Sequence, residues 1–76
     1  MRRIYSNWSK EVKKAMIDRD LTTQDIADKF HWTSRYVSAV INGREYYREA
    51  VVNISIYLNV QIPDGEKATL VKKVME

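Results

Sequence analysis

The stretch that decides the fold is Thr22–Gly43, which reads TTQDIADKFHWTSRYVSAVING. Thr22 and Asp25, three residues apart, have the pattern of a capping box and predict a short helix over residues 23–30. Thr33 can cap a second short helix with an inward apolar stripe, and a glycine just past its last turn ends it. Two short helices joined by three or four residues are typical of a helix-turn-helix. The sequence therefore predicts a helix-turn-helix over residues 22–43.

Apolar residues at helical spacing predict two further helices that close the core beneath this pair. The first runs from Ser6 or Asn7 to about Arg19, with inward positions at Trp8, Val12, Ala15 and Met16. The fourth stops at Asn59 and is marked by Val51, Ile54 and Leu58.

The last residues also show helical spacing. A C-terminal helix is predicted over about 65–75, where one face would carry Ala68, Val71, Val74 and Met75. The last three of these form the candidate surface for a homodimer. We therefore expect an all-α, compact four- to five-helix fold in a single domain spanning residues 1–76.

Length and composition limit the classes of function. The 76 residues leave room for one domain with a small core, and 45% hydrophobic with 30% charged residues is typical of a soluble globular chain. The chain has no cysteine and a single histidine, His31, so it offers no disulfide, no metal site and no acid–base constellation. We expect no enzyme activity, no cofactor, no membrane span and a cytoplasmic location.

Charge permits contact with nucleic acid but does not establish it. The formal net charge is +3 and the sequence pI is about 9.3. Residues 22–44 carry three basic and two acidic side chains, which is weaker than the basic stripe of an obvious nucleic-acid-binding domain.

The outward face of the third helix is small and polar. In a DNA major groove, Arg can pair with guanine, Ser can bond either base edge, and Ala can touch a thymine methyl group. Free N–H groups at the start of the second helix are predicted to meet one phosphate, and Arg44 another. The candidate binding residues are Thr22, Thr23, Gln24, Ser34, Arg35, Tyr36, Ser38, Ala39, Asn42 and Arg44.

Several of these residues also have a purely structural interpretation. Ser34 can cap a helix and Ser38 can fill a crowded contact, while Arg35 can be a solvated surface residue. Tyr36 is either a wedge against the fourth helix or a contact to phosphate or protein. Trp32 lies in the turn and is interpreted as core packing.

Two segments carry a family resemblance: LTTQDIADKF at Leu21–Phe30 and YVSAVING at Tyr36–Gly43. Over roughly residues 8–60 the chain resembles the Cro/C1-type (XRE) helix-turn-helix family. The resemblance implies a small phage-type transcriptional regulator of a lysogeny–lysis genetic switch in temperate phages of Gram-positive bacteria. It implies a Cro-like repressor that binds operator DNA through helix 34–42 in the bacterial host cell.

An alternative within the same resemblance is an antirepressor, which binds a CI-type phage repressor by protein–protein contact and blocks its DNA binding. Three departures from the family pattern accompany the match. Thr23 stands where the family usually has Gln, and His31 where it usually has Gly in the turn. Met16 and Ile41 replace a frequent Arg–Glu pair, and an apolar pair can replace a buried ion pair without loss of stability.

Overall fold

The computed structural model describes the backbone of residues 2–74 and the side chains of residues 4–71. Helices account for most of the fold, so the predicted all-α class is confirmed. The elements in chain order are β1 (Arg2–Ile4), α1 (Asn7–Asp18), α2 (Thr23–Phe30), α3 (Ser34–Ile41), α4 (Arg48–Leu58), a 3₁₀ turn (Glu66–Ala68) and β2 (Lys72–Val74).

The helices α1, α2 and α3 begin where their caps predict. Ser6 Oγ accepts a hydrogen bond from the Ser9 N–H at 3.1 Å, and Thr33 Oγ1 accepts one from the Tyr36 N–H at 3.1 Å. At α2 the capping box is complete, because Thr22 Oγ1 accepts from the Asp25 N–H while the Asp25 carboxylate accepts from the Thr22 N–H. Each cap satisfies N–H groups that have no acceptor inside the helix.

Residues in the left-handed conformation follow the ends of α2, α3 and α4. His31, just after α2, has φ 60° and ψ 37°, and Asn59, just after α4, has φ 57° and ψ 44°. Gly43 follows the end of α3 with φ 73°, a conformation that glycine adopts without a Cβ clash. The predicted ends of α2, α3 and α4 are confirmed.

The core lies between α1, α4 and the inner faces of α2 and α3. Its buried residues are Trp8, Val12, Ile26, Ala27, Val37, Val40, Ile41, Ala50, Val51, Ile54 and Leu58. The one indole donor in this cluster is satisfied, because Trp8 Nε1 donates to Ser55 Oγ at 2.8 Å and Ser55 Oγ donates to the Val51 carbonyl at 2.7 Å. The first of these hydrogen bonds joins α1 to α4, and the second lies within α4.

The predicted C-terminal helix over about 65–75 is wrong. The chain makes one 3₁₀ turn and then becomes extended as β2. Thr69 is fully buried, and its carbonyl accepts from Ser6 Oγ at 3.1 Å and Ser9 Oγ at 3.5 Å. The Val71 N–H then donates to the Gly43 carbonyl at 3.0 Å. These long-range contacts outweigh a weak helical pattern.

The dimer surface expected on that helix therefore has no basis in the structure. Val71 is used within the chain, Val74 lies in β2, and Met75 is outside the described residues. β1, which the sequence pattern did not reveal, pairs antiparallel with β2 in the register Arg2–Val74, Arg3–Lys73 and Ile4–Lys72. We call this two-stranded unit the terminal ribbon. Among the described residues, no helix has both the length and the apolar character needed to cross a membrane.

Candidate nucleic-acid interface

The turn between α2 and α3 is built by three residues, 31–33. His31 reverses the chain in the left-handed conformation, and the Trp32 N–H donates to the Ala27 carbonyl at 2.8 Å. The Trp32 ring stacks on Phe30 with centroids 4.7 Å apart and packs against the core. The interpretation of Trp32 as core packing is confirmed, and this packing fixes α3 relative to α2.

The first turn of α3 presents two exposed candidate residues. Ser34 and Arg35 are both exposed, whereas Val37 and Val40 on the opposite side are fully buried. Because Thr33 supplies the cap at this helix start, Ser34 is not needed for capping. Two consecutive exposed residues, one with a hydroxyl and one with a guanidinium group, thus lie at the start of α3.

Three candidate residues converge at the other end of α3. Ser38 Oγ accepts hydrogen bonds from Asn42 Nδ2 at 3.1 Å and from an Arg44 guanidinium nitrogen at 3.3 Å. Asn42 Nδ2 also donates to the Ser38 carbonyl at 2.9 Å. The structure therefore places Ser38, Asn42 and Arg44 in one polar cluster, with the Arg44 side chain exposed.

Ala39 is a correction to the predicted reading face. It is only 7% exposed, so it does not offer its methyl group to a thymine. The segment after Gly43 turns back along α3, and the Ala39 carbonyl accepts from the N–H groups of Arg44 at 2.9 Å and Glu45 at 3.3 Å. No local pattern in the sequence indicates that Ala39 is buried.

The start of α2 is partly occupied by its own side chains. The Thr22 N–H is bonded to the Asp25 carboxylate at 2.8 Å, and Gln24 Nε2 donates to Asp28 Oδ1 at 2.8 Å. The backbone N–H groups of Thr23 and Gln24 have no acceptor within the helix, since they belong to its first turn. They can meet a phosphate, but the Asp25 carboxylate beside them opposes an anion.

Tyr36 lies between α3 and the start of α4. Its ring stacks on Tyr47 with centroids 5.0 Å apart, and Tyr47 is 41% exposed. Burial, followed by the nearby Glu49 carboxylate, raises the pKa of Tyr36. The hydrogen bond that the Tyr47 hydroxyl donates to Glu45 at 2.9 Å, together with the charge of Glu45, raises the pKa of Tyr47. Tyr36 thus acts as a wedge toward α4, one of its two interpretations.

The Tyr36–Tyr47 pair belongs to a longer aromatic row that sequence reasoning missed. Neighbouring rings along it are 4.7 to 5.7 Å apart, and its members in spatial order are Tyr57, Phe30, Trp32, Tyr36 and Tyr47. Tyr57 comes from the far end of α4, so no local spacing connects it to the others. Within the described part of the chain, no group of three His, Cys, Asp or Glu residues is placed to hold a metal ion.

No protein-family model matches the chain, and neither a curated protein nor a solved structure matches it significantly. Function is therefore inferred from these residues and their geometry.

Proposed function

We propose that this chain is a small DNA-binding transcriptional regulator that inserts α3 into the major groove of operator DNA. The observation that carries the proposal is the arrangement on α3: Ser34 and Arg35 are exposed on its first turn, and Arg44 is held at its far end by Ser38. A rigid short helix with an exposed polar first turn is what major-groove recognition requires.

The candidate residues divide into readers and positioners. Arg35 can form a bidentate pair with guanine and Ser34 can bond a base edge, contacts that carry sequence information. Arg44 and the free N–H groups of Thr23 and Gln24 are suited to phosphates on either side, contacts that fix the position of the helix. One such helix reads few bases, so binding as a dimer to two half-sites about one helical turn apart is part of the proposal.

The resemblance to the Cro/C1-type family supports the biological setting of this proposal. A Cro-like repressor in the cytoplasm of a bacterial host cell would act by occupying an operator and excluding polymerase. A formal charge of only +1 over residues 22–44 means that this face alone gives weak electrostatic attraction to DNA.

The test is fluorescence anisotropy on the DNA upstream of the chain's own gene, titrated with salt. Arg35→Ala should weaken specific binding about 10- to 100-fold and relax the preference at one base pair, because a bidentate guanine pair gives roughly 1–3 kcal/mol of discrimination. Arg44→Ala should instead weaken binding to all sequences alike and lower the salt slope by about 1. The absence of any binding by the unaltered chain at low salt would refute the proposal.

A second candidate function is that of an antirepressor, and the structure contains a specific observation in its favour. The Tyr36–Tyr47 stack lies beside the exposed Arg35, and Tyr and Arg are enriched in the cores of protein interfaces. Burial of Ala39 and the Asp25 carboxylate at the α2 start both reduce the fit to DNA.

This candidate is tested by adding the chain to a complex of the phage repressor with its operator. An antirepressor should release the repressor from DNA, and Arg35→Ala combined with Tyr47→Ala should abolish the release. Lys14→Gln, on α1, is the matched control and should leave the release intact. Release that is unaffected by the Arg35 and Tyr47 changes would remove the proposed surface.

A further inference from the structure

The positive charge of the chain is concentrated in the terminal ribbon. Its six residues, 2–4 and 72–74, include Arg2, Arg3, Lys72 and Lys73 and no acidic residue, so the ribbon carries +4. The whole chain carries +3, so the remaining residues sum to −1. Pairing of the two strands brings into one unit four basic residues that lie in two pairs about 70 positions apart in the sequence.

The register of the ribbon pairs two basic residues at one position. Arg3 is the direct partner of Lys73 across the two strands. Like charges at directly opposed positions destabilise a strand pair, and a two-stranded ribbon is marginal even without them. Functional sites often contain an unfavourable local arrangement of this kind. A bound polyanion would supply the negative charge that offsets the repulsion between the two basic residues.

The ribbon is continuous with the proposed DNA-binding face. Lys72 directly follows Val71, whose N–H donates to the Gly43 carbonyl at 3.0 Å. Arg44, the next residue after Gly43, donates to Ser38 on α3. The strand β2 therefore begins at the residue after Val71, whose backbone is hydrogen-bonded to the segment that ends α3.

We propose that the terminal ribbon is a second contact to DNA, which binds the phosphate backbone beside the groove that α3 enters. The inference rests on the proposed DNA-binding function and extends it, because it supplies the electrostatic attraction that the +1 region of residues 22–44 lacks. The ribbon contributes affinity and no sequence preference.

The test compares two variants of the full chain that both lower the net charge from +3 to +1. The ribbon variant is Arg3→Gln with Lys73→Gln. The control is Lys10→Gln with Lys14→Gln, which removes two exposed cations along the groove between α1 and residues 58–64. Anisotropy titrations on operator and on unrelated DNA, each over a series of salt concentrations, give affinity and salt slope for both.

The ribbon variant should bind both DNAs about tenfold more weakly, and its salt slope should fall by about 1.8, or 0.9 for each phosphate that the chain no longer neutralises. The control should keep a slope close to that of the unaltered chain. Equal weakening in the two variants would show that only net charge matters and would overturn the proposal.

Stability provides an independent readout that a merely structural role would not give. Lys73→Gln alone removes one member of the opposed pair, so the melting temperature of the free protein should rise by about 1–5 °C while DNA affinity falls. Higher stability with weaker DNA binding supports the proposal.

Unchanged DNA binding with new self-association in sedimentation would overturn it, because the charges would then only protect a strand edge. Unchanged DNA binding with weaker binding to the phage repressor would overturn it in favour of an acidic protein partner.

The outcome is separable from that of the main proposal. If the ribbon variant behaves as expected while Arg35→Ala leaves base preference intact, the role of the ribbon stands and the role of α3 fails. If the unaltered chain binds no DNA at low salt, both proposals fail.

Discussion

The α2–α3 pair and the terminal ribbon achieve their structures by different means. The pair is specified locally: caps at Thr22 and Thr33 start its helices, and residues no more than a few positions apart satisfy one another. The ribbon joins the two ends of the described chain by backbone pairing between three-residue strands. The pair carries almost no net charge, whereas the ribbon carries +4. Local order and charge are thus divided between two regions, and Gly43 connects them.

Gly43→Ala should have the largest effect, since it disrupts the backbone contact between Gly43 and Val71 that connects the two regions. A Cβ there would lie 2.5 Å from the Val71 nitrogen and 2.7 Å from the Thr69 carbonyl oxygen, both backbone atoms. The φ of 73° adds about 1–2 kcal/mol for any residue with a Cβ. We expect a decrease of at least about 3 kcal/mol in the free energy of unfolding, measured by urea denaturation followed by circular dichroism.

Gly65→Ala is the matched control for this prediction. Nothing lies within 4 Å of the Cβ position at Gly65, and its φ of 165° is extended backbone that alanine adopts. Its stability should change by less than about 1 kcal/mol. Similar decreases in unfolding free energy at both glycines would show that the close contact at Gly43 is not needed and that the ribbon is independent of α3.

The same division explains which features could be predicted from the sequence. The helix starts at Ser6, Thr22 and Thr33 depend on residues three positions apart, so their patterns are visible in the chain. Glycine at 43 and asparagine at 59 end helices for an equally local reason, their tolerance of the left-handed conformation.

The features that escaped prediction depend on distant partners. The path of residues 69–74 is fixed by contacts to Ser6, Ser9 and Gly43, which no local pattern connects to it. The prediction for Ala39 is also wrong: its position on the helix fits the reading face, but its side chain is buried in the folded chain. Of the candidate site, the structure brings Asn42 to Ser38, and it exposes Thr22, Gln24, Ser34, Arg35 and Arg44.

His31→Gly is a smaller change, and it tests how strongly local backbone preference determines the α2–α3 pair. His31 has φ 60°, a left-handed conformation that is strained for a residue with a Cβ. Its side chain is exposed, so no burial of that side chain offsets the strain. Glycine removes this strain but gains entropy in the unfolded chain. We expect a net gain of about 0.5–1 kcal/mol in unfolding free energy with DNA binding unchanged.

Asn59→Gly is the control for His31→Gly, because Asn59 has nearly the same backbone angles and asparagine tolerates them better. Its gain should be smaller than that at His31, as measured in the same denaturation experiment. If His31→Gly instead destabilised the chain, the histidine side chain would have a role in the turn that outweighs its strain.

The smallest expected effect concerns Tyr47, which precedes α4 and stacks on Tyr36 of α3. Its hydroxyl donates to Glu45, and this hydrogen bond is the main reason that the pKa of Tyr47 is raised. The raised pKa values of Tyr36 and Tyr47 mean that the fold binds phenolic protons more tightly than the unfolded chain does. Their contribution to stability is complete below pH about 10 and is lost as the pH rises through the folded-state pKa values.

Glu45→Gln should therefore return the pKa of Tyr47 toward its ordinary value and leave that of Tyr36 raised, because burial is the first cause at Tyr36. Residue-resolved NMR titration of the tyrosine rings distinguishes the two. The matched change Glu49→Gln should act on Tyr36 and spare Tyr47, since Glu49 is the charge that faces Tyr36. If both substitutions moved both tyrosines equally, the effect would be one of net charge, and the specific hydrogen bond between Tyr47 and Glu45 would not be what sets its protonation. In that case the overall charge of the surface would determine the protonation of both tyrosines more than their individual hydrogen bonds do.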